Sequence, residues 1–169
     1  MEDTINQAKA ELIRAKAQMT HALATTPEGK LQWSPSPTAR TPLQQVAHSA
    51  QSISTIQNML AGKRFPYAGT GELDTAQRLT EKFDTAQRLA EEEFKTREQV
   101  LSLLEQTSAE YLAWLDTMTP ALLASTVETP FGPSPMVLAI TFPARHLTGH
   151  VAQMDYMQTI YGDRDWHMD

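Results

Sequence analysis

Cysteine is absent from this chain of 169 residues. Its absence excludes disulfide bonds, metal sites built on thiolates and a cysteine nucleophile. Any thiol that takes part in the chemistry of this protein must therefore come from a second molecule. A composition without cysteine is also what we expect in a reducing compartment, where disulfides do not form.

The sequence also lacks long apolar runs and an excess of positive charge. No uncharged apolar stretch reaches the roughly 18 residues that a membrane span requires. The first ten residues are polar and acidic from Glu2 onward, unlike a signal peptide. The 14 Lys and Arg against 20 Asp and Glu give a formal net charge of -6, which disfavours binding to nucleic-acid backbones. We expect a cytoplasmic protein that binds neither nucleic acid nor membrane.

What the sequence does contain is helical periodicity. Glycine is scarce, and most of the 10 prolines fall in clusters that separate long stretches with apolar residues at helical spacing. The four predicted long helices begin near Asp3, at Pro42, near Leu79 and at Pro135, and the third runs to about Glu105. No segment shows the alternation of a β-strand. Because the length suits one domain, we predict an all-α protein, a single four-helix bundle over residues 1–169.

Two of these helices carry specific backbone signals. Thr41, Pro42 and Gln44 form the best helix start in the chain, because Thr41 and Gln44 make a capping box and proline suits the first helical position. Pro143 lies inside the last predicted helix, where it has no N–H to donate and its ring crowds the carbonyl four residues earlier. We therefore expect a kink or break around Ala139 to Pro143.

Two histidines lie on the apolar side of the last helix. With His146 placed at zero, His150 falls at about 40° and Met157 at about 20° around the helix axis. Side chains four residues apart stand about 5–6 Å apart at Cβ, which suits two imidazoles that bind one ion. Two buried imidazoles need partners, and either a divalent cation or hydrogen bonds to neighbouring groups would satisfy them. The spacing leaves both interpretations open.

His48, in the second helix, is the natural third ligand, but the periodicity does not support it. It lies about 170° from the centre of the apolar stripe of that helix, in line with Ser52 and Thr55. This face could line a polar pocket or could be exposed to solvent.

Arg97 and Gln153 are candidate substrate-binding residues. Arg97 lies at the centre of the third predicted apolar stripe, where it could bind an anionic group or pair with an acid from a neighbouring helix. Gln153 follows His150 by about one turn. It could orient a ligand or could simply lie on the helix surface.

Three segments together resemble a known family. They are Thr41–His48, preceded by Trp33; His146–His150, followed by Gln153; and Tyr161–Asp163. In order and spacing they resemble the metal motifs of the DinB-like (YfiT-like) superfamily, and the resemblance covers nearly the whole chain. That family often has Arg-Gly where this chain has Val-Ala after the last histidine, so no role of that arginine is carried over.

The resemblance implies a four-helix bundle with up-down-down-up topology and one divalent metal bound by His48, His146 and His150. Zinc and nickel both suit three imidazoles. It also implies a homodimer, and a metal-dependent enzyme that transfers a low-molecular-weight thiol to an electrophilic small molecule. Three protein ligands, which leave coordination positions open, are typical of catalytic sites. A metal-binding or small-ligand-binding bundle without catalysis is the alternative, and a structural bundle without metal is a third.

Overall fold

The computed structural model describes residues 2–63 and 86–167. The elements in chain order are α1 (Glu2–Thr25), a 3-10 turn (Glu28–Lys30), α2 (Pro42–Leu60), the helical residues 86–91, α3 (Arg97–Leu115), α4 (Pro120–Leu123), β1 (Thr126–Thr129), β2 (Gly132–Pro135), α5 (Met136–Ala139) and α6 (Phe142–Ile160). Helices α1, α2, α3 and α6 are the long ones. None of the described helices combines the length and the apolar composition needed to cross a membrane.

Side-chain contacts fix the directions of the four long helices. Lys9, early in α1, forms an ion pair with Asp116, at the end of α3, so these helices are antiparallel. Gln158, near the end of α6, donates to a carbonyl near the end of α1, so these two are parallel. The rings of Trp33, shortly before α2, and Tyr161, just after α6, lie 5.8 Å apart, so α2 runs opposite to α6. The directions are up, down, down and up, as the resemblance implies.

Helix α2 is buried on most of its circumference because it packs against α3 and α6. Its apolar stripe contributes Leu43, Val46, Ala50 and Ile53 to the core, and the polar residues Gln45, His48, Ser49 and Ser52 on other faces are buried as well. A helix buried on several faces has no solvent side for a polar stripe to mark. Apolar periodicity therefore could not indicate which of its polar residues point into the protein.

The third predicted helix is two separate elements. The helical residues 86–91 are followed by a break, and α3 begins at Arg97 and continues to Leu115, beyond the predicted end. Thr96 causes the new start: its hydroxyl accepts from the backbone N–H of Gln99, and the side chain of Gln99 accepts from the backbone N–H of Thr96. The predicted start near Leu79 lies outside the described residues.

The expectation that the chain contains no strand was wrong. Strands β1 and β2 form an antiparallel hairpin in which Thr126 pairs with Pro135 and Thr129 with Gly132. Gly132 has φ of 102°, a conformation that glycine adopts without steric cost. Prolines are tolerated here because both strands of a two-stranded sheet are edge strands. The hairpin is short, and the all-α class and four-helix bundle are confirmed.

The break predicted near Pro143 is present. Helix α5 ends at Ala139, and α6 begins at Phe142 with Pro143 in its first turn, where the missing N–H costs nothing. The buried hydroxyl of Tyr111, on α3, donates to the carbonyl of Ile140 at 2.9 Å. This bond ties the break to the neighbouring helix and so fixes where α6 enters the bundle.

Candidate metal centre

His48 is positioned by the well-defined start of α2. The Thr41 hydroxyl accepts from the backbone N–H of Gln44 at 3.3 Å, and the Gln44 side chain accepts from the backbone N–H of Thr41 at 2.9 Å. With Pro42 at the first turn, this capping box fixes where the helix begins and hence where each later residue points. His48 is only 8% exposed, so it points into the protein and not to the solvent.

His146 and His150 lie in the first half of α6, shortly after the break. Their ring centroids are 4.5 Å apart, as the spacing of four residues on one helix predicts. The His48 ring approaches both from α2, at 5.1 Å from the His146 ring and 4.7 Å from the His150 ring. Helices α2 and α6 therefore bring together three imidazoles from two distant parts of the sequence.

The three histidines have the spacing of a metal site. One ring nitrogen from each lies within 4.8 Å of the other two. Among the residues that the structure describes, no other group of histidine and acidic side chains has this spacing. Three imidazoles suit zinc and other divalent first-row metals.

Hydrogen bonds from the Nδ1 atoms leave the Nε2 atoms of His48 and His150 available. Nδ1 of His48 donates to Oε1 of Glu91 at 3.0 Å. Nδ1 of His150 lies 2.5 Å from Oε1 of Gln45 and 2.9 Å from Oε1 of Gln153. Since an amide oxygen can only accept, the Nδ1 of His150 carries the hydrogen. This pattern, with one nitrogen held by an acceptor and the other free, is typical of metal-binding histidines.

His146 supplies the test of whether the site suits a metal. Its Nε2 atom is buried and has no hydrogen-bond partner among the residues that the structure describes. A buried polar atom without a partner is costly, and native proteins rarely leave one. A cation bound between the three rings would satisfy this nitrogen, so the residues present fit a metal.

The electrostatics keep two of the imidazoles neutral. Burial, reinforced by the neighbouring His48 and by Arg40, lowers the pKa of His146 to about 4. Burial, reinforced by His146 and His48, lowers the pKa of His150 to about 3. Both rings are therefore unprotonated near neutral pH, which is the form that binds a metal.

Among the described residues, Glu91 is the acidic group that contacts the histidines. Burial acts to raise its pKa, but the hydrogen bonds from His48 and Arg40 outweigh burial and hold the pKa below its usual value. Its second oxygen, Oε2, accepts from Nε of Arg40 at 2.8 Å. Glu91 is completely buried and ionised beside the histidines.

The structure gives the two predicted substrate-binding residues different surroundings. Gln153 lies beside the histidines, where it accepts from His150. Arg97 lies at the start of α3 and donates to the carbonyls of Ala24 and Thr26 at 3.3 and 2.9 Å, with Glu28 at 3.4 Å. It thus holds the end of α1, and these contacts give no support to a substrate-binding role.

Three residues around the histidines were not identified from the sequence: Gln45, Glu91 and Arg40. Gln45 could have been found, because it precedes His48 by three residues and so shares its side of α2. Glu91 could not, because it opens the run Glu91–Glu93, which is typical of a solvent-exposed face. Glu91 is buried against His48 and Arg40, which lie far away in the sequence.

Comparison with known proteins agrees with this fold. The sequence profile described as the DinB superfamily matches residues 11–154. Among solved structures, YfiT from Bacillus subtilis is similar, with a TM-score of 0.65 and 15% sequence identity over 96% of this chain and 90% of that chain. YfiT is described as a probable metal-dependent hydrolase with an unusual four-helix bundle topology. No curated protein matches the sequence significantly.

Proposed function

This chain belongs to the DinB superfamily, and we propose that it is a metal-dependent enzyme whose divalent ion, zinc or nickel, is bound by His48, His146 and His150. One observation carries the proposal: the buried His48 and His150 and the half-buried His146 each place a ring nitrogen within 4.8 Å of the other two. The Nε2 atom of His146 in this group has no other partner in the described part of the chain. If these histidines were ordinary core residues satisfied by hydrogen bonds, that nitrogen would have a partner.

The charges around the three histidines favour an anionic reactant. Among the described residues, the neutral rings of His146 and His150 contribute no charge, and the negative charge of Glu91 is matched by Arg40 at 2.8 Å. A divalent cation in such a site lowers the pKa of a thiol or a water towards neutrality and so supplies a nucleophile at physiological pH. With three protein ligands, coordination positions of the ion remain open for an external molecule.

We propose that the nucleophile is a low-molecular-weight thiol and that it is transferred to an electrophilic small molecule. The absence of cysteine supports this proposal, because the chain cannot supply a thiol itself. Gln153 is the residue on this chain that we expect to meet the reactants, since its side chain is exposed and contacts His150. Thiol transfer is the reaction type that the resemblance to the DinB-like superfamily implies.

Hydrolysis is the second candidate, favoured by the description of YfiT. A hydrolase needs the same three imidazoles but uses water as the nucleophile. The two candidates therefore differ in one requirement, the external thiol. Binding of a metal or a small ligand without catalysis is the remaining alternative.

The metal site is tested by elemental analysis of protein purified without an affinity tag. Changing His48, His146 or His150 to alanine should reduce the bound metal to less than a tenth of that in the original protein. His21→Ala is the matched control, because His21 is exposed and outside the group, and it should keep full metal content. Full occupancy in all three variants would refute the site.

The reaction is tested by incubating electrophiles and activated esters with the protein, with and without common cellular thiols. Thiol transfer predicts turnover that needs both the thiol and the metal, and hydrolysis predicts turnover that needs the metal alone. Activity that survives complete removal of the metal would contradict both. Metal-loaded protein that binds these compounds without turnover would favour the binding module.

We also propose that two copies associate and that the protein acts in the cytoplasm. Ile13 on α1 and Ile160 on α6 are 51% and 47% exposed, and these two helices pack together. Apolar side chains are therefore available for a contact between copies. Sedimentation velocity should give the mass of a dimer, and a monomer at micromolar concentration would contradict this part of the proposal.

A further inference from the structure

Glu91 is a completely buried carboxylate outside the two helices that carry the histidines. Each of its oxygens has a partner: Oε1 accepts from Nδ1 of His48 at 3.0 Å, and Oε2 accepts from Nε of Arg40 at 2.8 Å. It terminates the helical residues 86–91. Neither the family match nor the resemblance assigns it a role.

In the neutral form of His48, which is the form that binds a metal, these partners leave one possible arrangement of hydrogens. The guanidinium of Arg40 has only donors, so Oε2 must accept. An ionised carboxylate also accepts at its other oxygen, so Nδ1 of His48 must carry the ring hydrogen. The Nε2 atom of His48 then has a free lone pair, which is the form in which that atom can bind a metal.

We propose that Glu91 and Arg40 are positioning residues that fix the tautomer of His48 and so prepare it as the third ligand. Arg40 acts through Glu91, because its hydrogen bond to Oε2 holds the carboxylate with Oε1 directed at Nδ1 of His48. This inference rests on the proposed metal centre. It extends that centre to two residues from separate parts of the chain, the loop before α2 and the segment before α3.

His48 needs such a partner more than the other two histidines do. His146 and His150 share α6, and their spacing alone makes the rings face one site. His48 comes from another helix, so nothing in its own helix fixes which nitrogen it presents. His150, by comparison, is held by the neutral amides of Gln45 and Gln153, and His48 is held by a charged group.

The variant Glu91→Gln tests the proposal, because an amide has one acceptor and one donor where the carboxylate has two acceptors. Arg40 can only donate, so it takes the amide oxygen, and the amide NH₂ then faces Nδ1 of His48. The ring hydrogen must move to Nε2, the nitrogen that the metal needs. In chelator-treated protein, the ¹⁵N–¹H correlations of His48 should change from the Nδ1–H to the Nε2–H pattern. Zinc affinity should fall by about 10- to 100-fold.

The double variant Arg40→Met/Glu91→Gln separates this effect from a loss of packing. Without the obligate donor, the amide is free to turn its oxygen towards His48. The Nδ1–H pattern should return, and most of the zinc affinity with it. Glu93→Gln, the same change at an exposed neighbour, is the matched control and should alter neither measurement.

The outcomes distinguish the inference from the metal centre itself. An Nε2–H pattern for His48 in the unaltered protein would overturn the inference without any variant. So would a double variant that binds zinc no better than Glu91→Gln. If the tautomers change as expected but the original protein binds no zinc, the metal centre is refuted and the positioning pair stands. If zinc binds equally to the original protein and to Glu91→Gln, the positioning pair is refuted and the metal centre stands.

Discussion

Without metal, the protein should lose stability as the pH falls from 8 to 5, because the folded bundle holds His146 and His150 in their neutral forms. In the unfolded chain each imidazole has its ordinary pKa of about 6.5. In the folded protein burial lowers the pKa to about 4 for His146 and about 3 for His150. Below pH 6.5 the unfolded chain therefore binds more protons, which favours unfolding. The stability is complete above pH 6.5 and is lost progressively as the pH falls towards the folded pKa values.

The size of the effect follows from these values. At pH 5, which is 1.5 units below the ordinary pKa, proton binding stabilises the unfolded form by about 2 kcal/mol for each histidine. The folded protein gains almost nothing at that pH, because both folded pKa values lie below 5. The two histidines together should lower the free energy of unfolding by about 4 kcal/mol relative to pH 8. This is a large part of the roughly 5–15 kcal/mol that a domain has in total.

Urea unfolding followed by circular dichroism at pH 8, 6.5 and 5, with a chelator present, measures this effect. The comparison is between the original protein and His146→Gln/His150→Gln, so that the other titrating groups cancel. From pH 8 to pH 5, the difference in free energy of unfolding should shift by about 4 kcal/mol in favour of the variant. Thr148→Gln, an exposed non-titrating position between the two histidines, should show a constant difference. A constant difference for the double variant as well would refute the reasoning.

Three further substitutions test the framework around the site. Arg97→Leu removes the hydrogen bonds to two carbonyls at the end of α1 and should lower the free energy of unfolding by about 1–3 kcal/mol with unchanged metal content; a loss of metal instead would connect Arg97 to the site. Tyr111→Phe leaves the buried carbonyl of Ile140 without its donor and should cost about 1–2 kcal/mol in urea unfolding, whereas no change would show that the bond does not anchor the break. Gly162→Ala places a side chain at φ of 99° and should cost about 1 kcal/mol or more, so equal stability would contradict the helix end described here.

Local backbone chemistry could be predicted from the sequence where one or two residues determine it. The capping box of Thr41 and Gln44 and the break at Pro143 involve neighbours in the chain, and both are present. The convergence of His146 and His150 also follows from the geometry of a single helix. The hairpin was missed because β1 and β2 have only four residues each, and the prolines and glycine of β2 indicated a loop.

Features that depend on packing between distant segments could not be predicted in this way. His48 faces the other histidines although it lies off the apolar stripe, because α2 is buried on several faces, and only the family resemblance indicated it. Glu91 lay inside a predicted long helix, and the capping box of Thr96 and Gln99, which starts a separate helix after it, was overlooked. Its role depends on Arg40, which lies about 50 positions earlier in the chain, and no local pattern relates two such residues.

The position of the histidines on α2 and α6 has a consequence for the chain as a polymer. An ion that binds His48 and His146 together would close a loop of about 100 residues, the span over which a covalent cross-link is worth about 4–5 kcal/mol in the chain-entropy account. The first half of the chain and its last helix would then be joined much as a disulfide joins two segments. In a protein without cysteine, the strength of that link would depend on the concentration of free metal and not on the redox potential.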